Sequence, residues 1–373
     1  MSGYENIDKN MLPLGTMLRS GTYKITRQLS SGGFGNTYVA TNVEFDEVVA
    51  IKEFFMKGLN SRDGETVTVS VPANKSTFES QKEKFKKEAR RLRQLRNPYI
   101  VRVHDLFEER GTVYYVMDFI DGESLSEHLN RTEKPLSEEK VRTYLPQILE
   151  ALNVVHTEGF YHLDLKPGNI MLDKQDCIHL IDFGASKQED KDGGAKESSV
   201  VCYTAGYAPI EQNEQNMKKF GPWTDIYALG ATLYTLLTNT RPPDPTDIYE
   251  DQTPDKHLTL PFPSNVSGVL REMIIWMMAF RRGDRPQSVQ EIQQRYFNWR
   301  IIPSTEELKG KEHVDVGGLE DTIAFNKEVE MSDSTPINDN WKSRGNTRRH
   351  ICVAWIALTR VLKWSLHKKS VRS

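Results

Sequence analysis

The chain has 373 residues, of which 38% are hydrophobic and 27% are charged, and its formal net charge is −3. This length suits two or three average domains, or one large two-lobed domain with a tail, and the composition allows a sizeable buried core. A net charge this close to zero excludes a strong overall attraction to nucleic acid or to an anionic membrane.

The first segment, residues 1–22, is predicted to be a lead-in to the folded domain. Its start, Met1 to Asn10, is polar and lacks the basic and apolar parts of a secretory signal peptide. The cysteines Cys177, Cys202 and Cys352 are too few for a dense disulfide framework and fit a reducing compartment. No apolar run approaches the length of about 20 residues that a membrane-spanning helix needs. We therefore expect a cytoplasmic protein.

The next part of the chain is predicted to be rich in strands. Between Tyr23 and Lys52, β-branched and aromatic residues surround a glycine cluster, and Val101 to Ile120 has a similar composition, closing with the turn signal Asp121-Gly122. Polar and turn-forming residues fill Gly58 to Ser80. A helix is expected between these regions, ending at Asn97-Pro98. Its apolar face would be formed by Phe85, Ala89, Leu92 and Leu95.

The following part is predicted to be mainly helical. Ser137 is positioned to cap a helix that Pro146 would kink. The segment Asp225 to Leu237 is apolar on nearly every side, which is typical of a helix buried in a large domain. Ser288 and Glu291 have the spacing of a capping box ahead of a further helix.

A β-rich segment followed by a larger helical one predicts an α+β fold with two lobes and a cleft between them. We expect the folded domain to cover residues 23–299, with a small lobe at about 23–118 and a larger lobe at about 122–299. Residues 300–340 would form an acidic linker, and residues 341–373 a basic, partly amphipathic tail.

Charge separates these last two segments sharply. Residues 301–340 hold ten acidic and three basic residues, whereas residues 341–373 hold nine basic and no acidic ones. The first pattern is typical of a solvated linker. The second is compatible with an amphipathic helix on an anionic membrane or with a solvated tail. Its apolar residues recur at helical spacing: Ile351, Trp355, Leu358, Leu362 and Leu366.

The glycine cluster Ser30-Ser31-Gly32-Gly33-Phe34-Gly35 is a candidate phosphate-binding loop. Glycines let backbone amides approach phosphate oxygens closely, although the same pattern occurs in plain hairpin turns. A dinucleotide-binding motif would require a helix directly after the glycines. Asn36 to Ala40 has strand character instead, which excludes that class.

Lys52, in Val49-Ala50-Ile51-Lys52, could point from a strand toward bound phosphates. Most lysines are solvated, so the residue alone is weak support for a site. Glu88 lies on the apolar face of its predicted helix, where an unpaired carboxylate would be costly. We therefore expect an ion pair between Lys52 and Glu88.

The most specific motif is Tyr161 to Asn169, followed by Leu180 to Gly184. Two carboxylates and an amide accompany a lysine in this short region. These groups can orient a hydroxyl, neutralise a phosphoryl group and provide oxygen ligands to magnesium.

Together these motifs resemble the signature of the eukaryotic-type (Hanks-type) serine/threonine protein kinase family. The resemblance covers about Tyr23 to Trp299, and details such as Gly206-Tyr207-Ala208-Pro209 are similar to bacterial members. It implies a two-lobed protein kinase fold that transfers the γ-phosphoryl group of ATP to serine or threonine hydroxyls, including its own. The implied cofactor is Mg²⁺, with Mn²⁺ as an alternative. The implied partner is a protein substrate and not nucleic acid.

The resemblance also implies roles for individual residues. Asp164 would orient the acceptor hydroxyl and Lys166 would neutralise the transferring phosphoryl group. Asn169 and Asp182 would hold the metal, and Thr204 falls at the acceptor site. The ATP contacts implied by the resemblance are Leu29, Ser30, Gly32, Gly33, Phe34, Gly35, Thr37, Ala50, Lys52, Glu88, Met117, Asp118, Ile120 and Met171.

Other matched residues are implied to be structural. Asp225 resembles the aspartate that braces the catalytic loop, and Glu211 and Arg285 resemble the ion pair that anchors the activation segment. His162 is interpreted as a hydrogen-bonded core histidine. Leu163 stands where most regulated members have an arginine that binds a phosphate on the activation loop. We therefore expect activity that does not require activation-loop phosphorylation.

Two other functions were compared with this one. A catalytically weak kinase-like scaffold would bind nucleotide and a partner, but typically lacks Lys52, Asp164 or Asp182, which are all present. A small-molecule phosphotransferase would usually lack Lys166 and the long segment 185–211. The sequence indicates neither the substrate nor the oligomeric state, and the insert at 57–80 fits a partner surface and a plain loop equally well.

Overall fold

The computed structural model describes residues 9–32, 35–183, 187–188, 204–213, 219–246 and 260–297. The chain divides into two units, 1–300 and 301–373, and all of the described residues lie in the first. Residues 301–340 of the predicted linker and the basic tail belong to the second unit. The whole predicted linker, including residue 300, and the tail lie outside the described residues. None of the helices in the described ranges combines the length and apolar character that a membrane crossing requires.

The first lobe is built on a curled antiparallel sheet, as the alternating β-branched and aromatic residues predicted. Its strands, in chain order, are β1 (Met17–Leu18), β2 (Tyr23–Ser31), β3 (Gly35–Asn42), β4 (Glu47–Phe54), β5 (Ser61–Asp63), β6 (Thr66–Thr68), β7 (Val103–Glu109) and β8 (Thr112–Asp118). Six of them form one sheet in the order β1-β2-β3-β4-β8-β7, and β5 and β6 form a separate hairpin.

Helix α1 (Lys75–Leu92) packs on the inner face of this sheet. The Phe78 and Phe85 rings lie 5.2 and 5.5 Å from the ring of Phe54 on β4. The prediction that this helix continues to Asn97-Pro98 was wrong. After Leu92 the chain tightens into turns in which each amide bonds the carbonyl three residues earlier, and these turns carry Leu95 into the core outside the helix.

The predicted polar segment from Gly58 to Ser80 is only partly a loop. It contains the β5–β6 hairpin, a 3₁₀ turn at Pro72–Asn74 and the first turn and a half of α1. Gly64 has φ +58° at the hairpin turn, a conformation that favours glycine. Val67 is buried in the core beside α1, so the insert is an integral part of the lobe.

The lead-in packs on the opposite face of the sheet. Met11, Leu12 and Leu18 are buried there in one apolar cluster with Tyr38 and Tyr114. The Leu12 amide donates to the Tyr38 hydroxyl at 3.0 Å, and β1 pairs with β2. Residues 11–18 are therefore structurally part of the small lobe, although the sequence interpretation treated them as a preceding segment.

The second lobe is mainly helical, as predicted. Helix α5 (Pro222–Thr238) is buried along almost its whole length, which explains why its sequence is apolar on nearly every side. The helices of this lobe are α2 (Leu125–Thr132), α3 (Glu138–Thr157), α4 (Ile210–Asn213), α5 (Pro222–Thr238), α6 (Gly268–Met277) and α7 (Val289–Phe297). The short strands are β9 (Gly122–Ser124), β10 (Phe160–Tyr161), β11 (Ile170–Asp173), β12 (Ile178–Leu180) and β13 (Lys187–Gln188). Further 3₁₀ turns lie at Pro167–Asn169 and Arg282–Asp284.

The predicted helix caps are correct in one case and half correct in the other. The Ser137 hydroxyl accepts from the Lys140 amide at 3.3 Å, as expected for the cap of α3. The Ser288 hydroxyl accepts from the Glu291 amide at 3.2 Å, but the Glu291 carboxylate accepts from the Gln287 amide instead of the Ser288 amide. Helix α3 continues through Pro146, where the sequence predicted a kink, without a break into two helices.

Candidate active site

The candidate site lies where the two lobes meet. The predicted catalytic loop, residues 162–169, connects β10 to β11. Asp182 lies two residues after the end of β12. The Leu180 amide donates to the Tyr99 carbonyl at 2.8 Å, and the Val101 amide donates to the Leu180 carbonyl at 3.0 Å. These backbone bonds join β12 to the segment between α1 and β7 of the small lobe, and so fix Asp182 relative to both lobes.

The glycine cluster forms the turn between β2 and β3. The Gly32 amide donates to the Gly35 carbonyl at 2.8 Å, while Leu29 and Ser30 are exposed on the approach to the turn. A side chain at Gly35 would come within 2.6 Å of the Glu53 carbonyl oxygen, so this strand contact requires glycine. Two further predicted residues of the loop, Gly33 and Phe34, lie outside the described residues.

The structure gives Lys52 a different partner from the predicted one. Within the described part of the chain, its Nζ forms an ion pair with Asp182 Oδ1 at 2.5 Å and not with Glu88. Burial tends to lower the pKa of Lys52, but the Asp182 carboxylate raises it well above its ordinary value. The predicted Lys52–Glu88 ion pair is thus wrong, although the Glu88 charge still influences the pKa of Lys52.

Glu88 is buried on α1, as its position on the apolar face predicted. Burial raises the pKa of Glu88 to about 7, against the opposing effect of the Lys52 ammonium. The Tyr115 hydroxyl donates to Glu88 Oε1 at 3.5 Å, and Lys52 Nζ lies 5.9 Å from the centre of the Tyr115 ring. Tyr115 therefore lies between the acid and the lysine. Sequence reasoning missed it, although strand alternation puts Tyr115 on the same face of β8 as Met117.

The predicted catalytic groups converge on the carboxylate of Asp164. Lys166 Nζ is 2.8 Å from Asp164 Oδ2, and the Thr204 hydroxyl donates to Asp164 Oδ1 at 2.7 Å. Lys166 Nζ also donates to the Thr204 hydroxyl at 3.1 Å. The Asn169 amide nitrogen donates to Asp164 Oδ2 at 2.9 Å and to the Asp164 carbonyl at 2.7 Å. Three residues of the Tyr161 to Asn169 motif and the distant Thr204 thus form one hydrogen-bonded group.

Asp225, which is fully buried on α5, holds the backbone of this loop. Its two carboxylate oxygens accept from the His162 and Leu163 amides, each at 2.8 Å. Leu163 has φ +61°, a conformation that costs energy for a residue other than glycine, and these bonds hold it there. His156 on α3 adds a further contact, with Nε2 at 2.8 Å from Asp225 Oδ2. Burial tends to raise the pKa of Asp225, but its hydrogen bond and charge interaction with His156 lower it overall.

His162 is a fully buried member of the core. Its ring lies 4.4 Å from that of Phe183, and its Nε2 is 3.2 Å from the Ile181 carbonyl oxygen. Burial lowers the pKa of His162, which favours the neutral imidazole, although the Asp225 charge opposes this. A buried, neutral ring bonded to the backbone is suited to support the loop and not to carry a proton.

Glu211 and Arg285 form a buried ion pair below the site. Arg285 donates through NH1 to Glu211 Oε1 at 2.7 Å and through NH2 to Glu211 Oε2 at 3.3 Å. Arg285 also donates to the Ala279 and Phe280 carbonyls at 2.6 and 2.8 Å, and its guanidinium lies 4.7 Å from the centre of the Tyr227 ring. This pair ties the end of the activation segment to the core of the second lobe.

Several further predicted ATP contacts lie on strands or in the connection between the lobes. Ala50 on β4 is the cross-strand partner of Met117 on β8, and Met171 lies on β11 below the lobe connection. The Asp118 amide already donates to the Arg102 carbonyl at 3.0 Å. Ile120 is half-buried in the lobe connection. Thr37, on the strand after the glycine turn, is the partner of Lys52 in the β3–β4 register.

Asn169 and Asp182 are the residues suited to a divalent metal. Asn169 uses its amide nitrogen for Asp164, so its oxygen takes no part in that bond, and the Asp182 side chain is 45% exposed. The Ile181 amide donates to the Asn169 carbonyl at 3.0 Å, which keeps the two residues close. The described ranges contain no group of three or more metal-binding side chains.

Comparisons with known proteins agree with this arrangement. The family model described as "Protein kinase domain" matches residues 23–297. Serine/threonine-protein kinase F from Synechocystis sp. is 32% identical over 253 residues, covering 63% of this chain and 48% of the relative. Serine/threonine-protein kinase D from the same organism is 35% identical over 229 residues, covering 59% and 41%. This chain thus spans less than half the length of these two relatives.

A solved structure described as PpkA-294 apo form shares the fold. It superposes with a TM-score of 0.66 at 29% sequence identity. The match covers 76% of this chain and 99% of the solved chain. The fold of most of this chain therefore has a counterpart of known structure.

Proposed function

This chain belongs to the protein kinase domain family, and we propose that it is a serine/threonine protein kinase that uses ATP. The observation that carries the proposal is the group of side chains around Asp164. Its carboxylate already accepts a hydrogen bond from a threonine hydroxyl at 2.7 Å, beside the Lys166 ammonium at 2.8 Å. A serine or threonine of a protein substrate presents the same kind of hydroxyl group. The family as a whole uses ATP and a divalent metal ion.

In the proposed reaction, the oxygen of the substrate hydroxyl bonds to the γ-phosphorus of ATP while the bond from that phosphorus to the β,γ-bridging oxygen breaks. ADP leaves, and the hydroxyl proton passes to Asp164 and then to solvent. Asp164 orients the hydroxyl, and Lys166 reduces the negative charge that the phosphoryl oxygens present to it. Lys52 would bind the α- and β-phosphates once it exchanges its bond to Asp182 for them.

Magnesium is the divalent ion that we propose for this site, with manganese as an alternative. Asn169 and Asp182 would hold it through oxygen. A bound magnesium ion would neutralise phosphate charge during transfer. The hydrogen bond from Asn169 to Asp164 links the metal-binding residues to the group that orients the hydroxyl.

The test compares the wild-type chain with its Asp164→Asn variant in transfer from labelled ATP and magnesium. A generic basic protein and the kinase itself serve as acceptors, and phosphoamino acid analysis identifies the product. Asp176→Asn is the matched control, because Asp176 is an exposed aspartate paired with Lys140 away from the site. We expect labelled serine or threonine with the wild type and the control, and none with Asp164→Asn. A folded wild-type chain that binds ATP and transfers nothing would contradict the proposal and favour a scaffold.

We also propose that the basic tail, residues 341–373, contacts anionic membrane. Its nine basic residues and the absence of acidic ones support this, together with the helical spacing of its apolar side chains. Co-sedimentation with phosphatidylserine vesicles should be strong for the full chain and weak for a chain without these residues. Equal sedimentation of both would overturn the proposal.

A further inference from the structure

Glu53 is a fully buried carboxylate on the face of β4 that points away from the site. Its Oε2 accepts from Asn36 at 2.9 Å, from the Tyr38 hydroxyl at 2.7 Å and from Arg62 at 2.6 Å. Its Oε1 accepts from the Tyr114 hydroxyl at 2.8 Å. Loss of any one of these donors would leave the buried carboxylate partly unsatisfied, which would lower the stability of the fold.

Arg62, on the β5–β6 hairpin of the insert, provides the cation that pairs with Glu53. Its side chain is only 2% exposed, and its guanidinium lies 5.5 Å from the centre of the Phe55 ring. Besides Glu53, it donates through Nε to the Asn10 carbonyl at 3.0 Å and through NH1 to the Glu65 carbonyl at 3.1 Å. Arg62 thus joins three parts of the chain: the lead-in, the hairpin and the central strand of the sheet.

The same group of side chains extends to the glycine turn. Asn36 follows the turn directly, and its oxygen accepts from the Ser31 hydroxyl on the other side of the turn at 2.8 Å. The Asn36 amide nitrogen donates both to Glu53 and to the Asn10 carbonyl, each at 2.9 Å. Lys57, just before the hairpin, donates to the Ser31 carbonyl at 3.3 Å. The Ser31 end of the turn is therefore attached to the insert, and the Asn36 end is attached to the lead-in and to Glu53 on β4.

Strand alternation connects these contacts to catalysis. Lys52 and Glu53 are neighbours on β4, so their side chains project to opposite faces of the sheet. Lys52 reaches into the site, whereas Glu53 is held by Arg62 on the outer face. Any displacement of Glu53 would shift the backbone that carries Lys52 and that contacts Gly35.

We propose that Arg62 is a positioning residue for phosphate binding, and that the insert hairpin with residues 10–12 forms a clamp that holds the glycine turn in its binding conformation. The inference rests on the proposed function, because it assumes that the glycine turn binds the phosphates of ATP. It assigns the insert an internal role in place of a partner surface or a plain loop. Arg62 touches neither substrate nor reacting atoms and acts through Asn36 and Glu53.

Removal of Arg62 would leave Glu53 buried without its cation. Within the described residues, Arg62 is the ion-pair partner of Glu53. Water or a shift of β4 must then satisfy the carboxylate, and either would loosen Asn36 and the turn it closes. Weaker binding of the phosphates in both ground and transition state raises KM for ATP and leaves kcat nearly unchanged.

The experiment measures KM and kcat for ATP, the affinity for a fluorescent ATP analogue, and amide hydrogen exchange over residues 28–38. For Arg62→Ala we expect KM for ATP to rise by about tenfold with kcat within about twofold. Exchange over 28–38 should become faster. Arg62→Lys, which keeps the charge but loses the fork of donors, should lie between Arg62→Ala and the wild type.

Arg142→Ala is the matched control, because Arg142 also forms an ion pair and a hydrogen bond, with Glu138 and Ser267, but in the second lobe. It should leave KM for ATP and exchange over 28–38 unchanged. If Arg62→Ala does not fold, Arg62→Met combined with Glu53→Gln removes the buried charge and keeps the volume. A smaller rise in KM is then expected, because the bonds from Arg62 to the Asn10 and Glu65 carbonyls are still lost. Unchanged ATP affinity and unchanged exchange in a folded variant would overturn the proposal. Analogue binding and exchange need no phosphate transfer, so failure of the proposed kinase activity would be recognised separately.

Discussion

Lys52 and Asp182 form an ion pair with an Nζ–Oδ1 distance of 2.5 Å across the candidate site. In the proposed reaction these two residues contact different parts of bound ATP and metal. The two side chains therefore balance each other's charge across the site, and the proposed reaction requires them to separate. The Lys52 side chain is 12% exposed and that of Asp182 is 45% exposed, so Asp182 is the partner that solvent can reach.

We predict that Lys52→Met lowers kcat/KM for ATP by about 100-fold or more, because a preorganised cation on the phosphates is lost. The fold should tolerate this change, since Asp182 remains half exposed and hydrated. Phosphate transfer and thermal unfolding should be measured together. Lys140→Met, which removes an exposed lysine paired with Asp176, should change neither. Activity within about twofold of the wild type in Lys52→Met would rule out a phosphate-binding role.

Glu88 provides a prediction about pH. Burial raises its pKa to about 7, so the carboxyl is mostly neutral below that pH and ionised above it. Only the ionised form can attract Lys52 away from Asp182. We expect kcat/KM to fall as pH drops through about 7, and Glu88→Gln to be weakly active with a flatter profile between about pH 6 and 8. If kcat/KM of Glu88→Gln falls at low pH in the same way as that of the wild type, another group is responsible for the titration.

His162 should make stability depend on pH. Burial lowers its folded-state pKa below the ordinary value of about 6.5, so the unfolded chain binds more protons in this range. The stabilisation is complete above about pH 6.5 and is lost as pH falls through the depressed value, with a slope of at most about 1.4 kcal/mol per pH unit from this group. Urea unfolding at several pH values between about 7.5 and 5.5 would measure the slope of the unfolding free energy against pH. His162→Gln should have the shallower slope, and equal slopes would contradict the assignment.

The Glu211–Arg285 pair should matter far more than ion pairs at the surface. Arg285→Ala leaves a buried carboxylate unpaired and should cost about 3–5 kcal/mol of unfolding free energy. Arg19→Ala removes an ion pair with Asp105 in which the arginine is 45% exposed, and should cost about 1 kcal/mol or less. Denaturant titration of both variants tests the difference. Similar losses in the two variants would show that burial does not determine the effect.

Leu163 is the basis for our prediction that the proposed activity does not require a phosphate on the activation loop. Where regulated relatives have an arginine, Leu163 is buried and packs against Phe220. Ser198→Ala and Ser199→Ala, at positions outside the described residues, should leave activity within about twofold, and acidic replacements should not increase it. A large loss in the alanine variants that acidic residues restore would contradict this prediction.

Much of the fold follows from local patterns in the sequence. The strand composition around the glycine cluster, the all-round apolar helix at 225–237 and the catalytic-loop motif each depend on residues close together in the chain. The partner of Lys52 was predicted wrongly because it depends on burial across three elements. A charge on the apolar face of a helix indicates burial, but Glu88 meets that cost through a raised pKa instead of an ion pair.

The insert shows a second reason why part of the structure could not be predicted from the sequence. Asp63-Gly64 followed by Thr66-Val67-Thr68 is a hairpin signal that could have been recognised. Arg62 could not have been recognised in the same way, because an arginine in a polar stretch is usually solvated. Its burial depends on Glu53 and on Asn10, and no local pattern connects these three residues. His156 was missed for the same reason.

The hydrogen bonds from His162 and Leu163 to Asp225 span 63 and 62 residues of sequence. During synthesis, a ribosome therefore produces all of Asp164, Lys166, Asn169 and Asp182 well before the carboxylate that shapes their loop. Contacts of such separation close late, because the intervening chain must first be ordered. We therefore expect these four residues to reach their native arrangement in a nascent chain only after α5 has emerged and docked.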